Sequence, residues 1–159
     1  MKTHSPFAVM IDLLTKYTEN GSFYFLPGNE PFKQCNAPSD KSGIYLIYAL
    51  SNGEEKLVYI GSSGKLLPNG KVSIRKGLGG IRDRLINGRY TYKDNGAKVK
   101  LKRSKFWLQL MVTEKIDSLK ICWFVTHNEH YNDCPLKKDA ELRKLYIELY
   151  GRLPDWNRI

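Results

Sequence analysis

The sequence predicts a mixed α/β (α+β) domain in which a small antiparallel three-stranded sheet is flanked by helices. Three observations carry that reading. Residues 42–61, SGIYLIYALSNGEEKLVYIG, form two runs of alternating apolar and aromatic residues around Ser51-Asn52-Gly53, and Asn-Gly between such runs is a strong signal for a two-residue hairpin. A third run, LKICWFVTH at 119–127, has the composition of another strand. Elsewhere apolar residues recur at three-and-four spacing, the mark of a helix with one buried face.

The elements follow in order. Residues 6–19 read as a helix through Phe7, Met10, Ile11, Leu14 and Tyr17, with Ser5-Pro6 at its start and Asn20-Gly21 as its stop. The aromatic stretch SFYF that follows is a short strand or hairpin broken by Pro27-Gly28. Residues 1–40 are therefore expected to form an accessory helix and hairpin packed on a main domain of 41–159. In the hairpin, both faces carry apolar side chains, so both should be covered. Tyr45 and Tyr59 each lie near a glycine, and two such tyrosines can bring their hydroxyls together on one face of an antiparallel pair.

A glycine-rich basic stretch comes next, with glycines at 64, 70, 77, 79 and 80 and Lys65, Lys71, Arg75 and Lys76 among them. It lacks the spacing of a P-loop, and reads as a loop able to approach a phosphate backbone. The run IRDRLINGRY is a short helix ended by Asn87-Gly88. Its Arg82 and Arg84, two residues apart, must face different ways. Residues 90–105 concentrate Lys98, Lys100, Lys102 and Arg103 beside Tyr90 and Tyr92. Basic side chains interleaved with aromatics suit backbone charge and base stacking. Ser104 is placed to cap a helix through KFWLQLMVTEK. His127, Glu129 and His130 lack zinc-site spacing and read as loop residues after the third strand. Pro135 opens the last helix, whose stripe is Leu142, Leu145, Tyr146 and Leu149, and Gly151 closes it.

Composition narrows the partners. The 159 residues include 26 Lys and Arg against 16 Asp and Glu, a net charge of +10, which points to a polyanion and first to nucleic acid. No apolar run is long enough to cross a membrane, and Asp12 interrupts the apolar patch near the start, so neither a membrane span nor a secretory signal is expected. Three unpatterned cysteines predict reduced thiols and a cytoplasmic location.

Gly43-Ile44-Tyr45 followed by Tyr59-Ile60-Gly61, then Asp83-Arg84-Leu85, a glutamate-bearing last helix and Pro154-Asp155-Trp156-Asn157, resembles the GIY-YIG nuclease family over about residues 41–159. The flavour is closest to small stand-alone type II restriction endonucleases of that family. The resemblance implies a divalent-metal-dependent DNA endonuclease acting on double-stranded DNA, with a homodimer as a possible form and Mg²⁺ (or Mn²⁺) as cofactor. A phage, mobile-element or repair nuclease of the same family is the near alternative. A non-catalytic nucleic-acid-binding module on the same scaffold is the rival from another class.

The resemblance assigns roles to residues. Tyr45 and Tyr59 are the paired tyrosines, one orienting or deprotonating water and the other supporting it. Tyr59 is the preferred base, with the reverse order left open. Arg84 fits the family arginine better than Arg82. Glu141, with Glu148 as second choice, is the metal-ligating carboxylate, and Asn157 would lock the chain end against the sheet. Gly43 and Gly61 are structural. The family's histidine after the arginine is missing; Arg89 stands nearby, and Lys65, Lys71 or Lys76 is a candidate to enter the site. Lys65, Lys71, Arg75, Lys76, Arg82, Arg89, Lys98, Lys100, Lys102 and Arg103 are the expected nucleic-acid contacts.

Overall fold

The structure is a computed structural model that describes residues 10–27, 34–73, 80–87, 89–92 and 94–158. Its centre is an antiparallel sheet of β1 (Asn20–Phe25), β2 (Gly43–Ser51), β3 (Glu54–Ser63) and, later in the chain, a strand at Ser118–Val125. Between them run two small hairpins, β4 (Lys65–Leu66) with β5 (Val72–Ser73) and β6 (Arg89–Tyr92) with β7 (Lys98–Leu101), so the strand at 118–125 is β8. The strand order is β1-β8-β2-β3. The sheet thus has four strands where the sequence predicts three. The added strand is SFYF, which pairs antiparallel with β8 from Asn20 opposite Phe124 to Phe25 opposite Leu119. Residues 20–25 therefore belong to the main sheet.

Three α-helices are described in full: α1 (Gly80–Ile86), α2 (Arg103–Glu114) and α3 (Pro135–Tyr150), with a 3₁₀ turn at Asp155–Arg158. Residues 10–12 are also helical but 13–16 form a turn, so the helix expected over 6–19 ends earlier; Met10, Leu14 and Tyr17 are nonetheless buried. Ser104 does not cap α2. The helix begins two residues earlier, after Lys102, which gives it no side-chain cap. At the other end of the chain Gly151 closes α3 at φ 77° and donates its N–H to Ile147 O at 2.7 Å.

Strand alternation divides the side chains into two cores. On one face Tyr45, Ile47, Ala49 and Val58 pack with Ile81, Leu85 and Ile86 of α1, Trp107 and Met111 of α2, and Trp156. On the other, Ile44, Leu46, Tyr48, Leu57 and Ile60 pack with Leu142 and Tyr146 of α3 and with Met10, Leu14 and Tyr17. The sheet is therefore covered on both sides, as the two apolar faces of the hairpin predict. Trp107 is the hub of the first core: its Nε1 donates to Leu85 O at 3.1 Å, and its ring stacks on Trp156 at 5.6 Å.

The outer border of β3 is closed by side chains. Ile60 N donates to Asn157 Oδ1 at 2.9 Å, and Ile60 O accepts from Asn157 Nδ2 at 2.9 Å and Arg143 Nη2 at 3.1 Å. Asn157 thus holds the chain end against the sheet in the place a neighbouring backbone would occupy. Arg143 also pairs with buried Asp139 at 2.6 Å, which accepts from Ser62 Oγ at 2.8 Å. Cys35, Cys122 and Cys134 form no disulfide. Among the described residues, no helix is long and apolar enough to cross a membrane.

His127 ties the end of β8 to the start of β2, its Nε2 accepting from Ser42 N at 3.1 Å. Burial, helped by the charge of Lys41, holds its pKa below 6.5. The unfolded chain then takes up this proton more readily than the folded one. Stability that is fully present above about pH 6.5 is lost as pH falls through the lower folded value. Thermal melts from about pH 7.5 to about pH 5 should show this loss in the wild type and a flatter profile in His127→Gln. Parallel profiles would remove His127 as the cause. Asp133 and Asp155, held below 3.8 by their lysine partners despite partial burial, titrate lower and leave that window clear.

Candidate active site

The β2–β3 hairpin turns at Asn52 (φ 51°) and Gly53 (φ 78°), the pair of left-handed residues that a tight antiparallel turn requires. Along it Tyr45 lies opposite Gly61 and Ile47 opposite Tyr59. The register then shifts, and Tyr48 faces Leu57. This bulge returns Leu57 to the α3 face while Val58 and Tyr59 both face the α1–α2 side. Tyr45 and Tyr59 consequently share one face, their rings stacked at 5.9 Å and 24°.

Both glycines of the paired tripeptides are set by close approach. At Gly61 a Cβ would run into the Tyr45 ring and stand 2.6 Å from its hydroxyl. At Gly43 a Cβ would collide with Phe124 O in the neighbouring strand. The first glycine makes room for the tyrosine, and the second lets β2 and β8 pair.

Two arginines complete the cluster. Arg84 on α1 is half-buried, and its charge acts on the Tyr45 phenol. Arg82, also half-buried, faces elsewhere: its charge acts on the Cys35 thiol. The second cation at the tyrosines is Arg103, in the first turn of α2. Only 7% of it is exposed. Its Nη1 donates to Tyr59 Oη at 3.3 Å, and its guanidinium lies 5.9 Å from the Trp107 ring centroid, while Tyr59 packs on the same ring at 5.1 Å. Arg103, expected among the nucleic-acid contacts, is thus a buried member of this cluster. Four residues before Trp107, it shares that residue's face and turns inward.

Electrostatics of the cluster follow from burial. Tyr45 is fully buried, and its pKa is raised well above 10, first by desolvation and then by the nearby Tyr59 phenol, against the lowering pull of Arg103 and Arg84. Its hydroxyl lies within range of Tyr59 but closes no hydrogen bond of good geometry. Tyr45 is thus a neutral buttress. Burial acts to lower the Arg103 pKa, yet Tyr45 and Tyr59 more than offset it and the net shift is upward, so the guanidinium stays charged.

Glu141 is not part of this cluster. It sits on α3, which packs on the opposite face of the sheet, with a side chain 51% exposed and paired with Lys138 at 2.8 Å. Its charge is felt by Tyr17 of that face, and Glu148 is exposed on the same helix. Among the described residues, no group of three or more His, Cys, Asp or Glu side chains is placed to hold a metal ion. As placed, Glu141 does not fit an ion shared with Tyr59 and Arg84.

Of the expected backbone contacts, Lys71, Lys98 and Lys102 are exposed. Arg75 and Lys76 lie outside the described residues, as do the side chains of Lys65, Arg89 and Lys100. The 90–105 segment is not a plain turn. Its two ends pair as β6 and β7 around Asp94, Asn95 and Gly96.

What the fold and cluster define is a class: an α+β domain with an antiparallel four-stranded sheet and a buried tyrosine–arginine cluster on one face. Beyond that class, no family model, no curated protein and no solved structure matches the chain.

Proposed function

We propose that this chain is a DNA endonuclease that hydrolyses phosphodiester bonds, with an active site of the GIY-YIG kind and a restriction-type role. The observation that carries the reading is the convergence of Tyr45, Tyr59 and the charge of Arg84 on one sheet face. The net charge of +10 supports a polyanionic substrate. In this reading Arg84 presents its planar fork to the phosphate and neutralises charge developing on the phosphoryl oxygens. Tyr59, half-buried and held by Arg103, orients the attacking water. Tyr45 fixes the Tyr59 ring through stacking. The resemblance also calls for Mg²⁺ (or Mn²⁺) on Glu141; because that carboxylate does not fit this cluster, no step here passes through it.

The position of Glu141 favours a second reading, a duplex-binding module that grips phosphate without cutting it. Incubation of supercoiled plasmid with Mg²⁺, Mn²⁺ or chelator separates the two. Nicking or linearisation by the wild type supports the enzyme, and discrete bands support the restriction role. Tight duplex binding with no cutting under any ion ends the enzyme reading in favour of the binding module. Glu141→Ala belongs in the same digest. Loss of cutting with an intact fold would mean that α3 reaches the phosphate in the complex by a different arrangement from the one described above.

A further inference from the structure

Arg103 is a cation with too few partners for its depth. A guanidinium offers five N–H donors. Here Nη1 is spent on Tyr59 Oη, and the Nε–H, fully buried, donates to nothing among the described residues. None of the ion pairs among the described residues involves it. A buried charge is costly without an opposite charge or a full set of hydrogen bonds, and an unmade buried bond adds to that cost. The Trp107 ring lies on the other side, its centroid 5.9 Å from the guanidinium carbon. With Nη1 turned to Tyr59, the edge that carries Nε–H and Nη2 remains, and that edge fits two oxygens of one phosphate side-on. Tyr59, half-buried, shares its hydroxyl with Arg103, and half-buried Arg84 carries the second positive charge acting on Tyr45.

We propose that Arg103 is a second phosphate ligand of this site, taking two oxygens of the bound phosphodiester through its Nε–Nη2 edge while its Nη1 holds Tyr59 in position. The assignment rests on the phosphodiester reading for its substrate and on the orphaned Nε–H for its geometry. It gives the site two guanidinium groups, one from α1 and one from α2. It also supplies a second cation at the tyrosine pair. The raised pKa of Arg103 is consistent with a group kept charged for an anion.

The test uses thymidine 3′,5′-bisphosphate as an uncleavable probe and the Arg103 Nε–H resonance as the readout, with plasmid cutting measured in parallel. On titration the Nε–H signal should move downfield and saturate. Affinity should fall at least about tenfold in Arg103→Met, fall less in Arg103→Lys, and stay unchanged in Lys144→Ala, an exposed lysine of α3. An Nε–H signal that does not move at saturation overturns the proposal without recourse to any variant. So does an Arg103→Met protein, folded by circular dichroism, that binds or cuts like the wild type. If the probe binds through Arg103 but no plasmid is cut under any ion, the phosphate ligand stands and the endonuclease reading falls.

Discussion

Arg84→Ala is expected to lower the single-turnover rate of plasmid nicking by a factor on the order of 100 to 1,000, the usual cost of removing one preorganised donor from a developing oxyanion. Duplex affinity should fall far less. One phosphate contact is lost, so the slope of log affinity against log salt should drop by about 1. Arg84→Lys should recover part of the rate, since it keeps the charge and gives up the fork. Tyr59→Phe, measured alongside, keeps the ring that packs at 5.1 Å on Trp107 and removes only the hydroxyl held by Arg103. Cutting by Arg84→Ala within twofold of the wild type would remove this arginine from the chemistry.

The largest effect on stability is expected at Trp107→Ala. The side chain is fully buried, stacks on Trp156, packs at a tilt on Tyr59, and donates to Leu85 O. Large-to-small changes at such sites cost about 3–5 kcal/mol, and the orphaned Leu85 carbonyl adds to that. A domain of this size has a total stability of about 5–15 kcal/mol, so the variant should be close to unfolding at 37 °C. Urea unfolding would show the midpoint fall with little change in slope, and Trp107→Phe should lose less. A cost under about 1 kcal/mol would contradict the packing that joins α1, α2 and the chain end.

Much of this arrangement is legible in the residues. Asn52-Gly53 sets the hairpin turn, and apolar side chains on both strand faces announce two cores. Pro135 and Gly151 bracket α3 as written. The fourth strand is harder. Alternation in SFYF indicates an extended segment, but its partner is the distant β8, and pairing across that separation leaves no local signal. Arg103 sits in a run of cations that reads as a nucleic-acid-contacting segment. The clue was present in its i,i+4 spacing to Trp107, which places both on one helix face. Glu141 is the opposite case. Its distance from Asn157 suits the family pattern, yet spacing along a chain does not say which side of a sheet a helix will cover. That was decided by Leu142 and Tyr146, whose burial commits α3 to the face away from Tyr45.

The carboxamide of Asn157 has a consequence for assembly. Exposed strand borders are where separate chains most easily zip together, and at Ile60 both backbone groups are already engaged by Asn157, with Arg143 as a second donor to the carbonyl. An incoming strand would have to displace that amide before it could form a ladder there. Any pairing of two such molecules on a symmetric duplex is therefore steered away from a continuous sheet across β3.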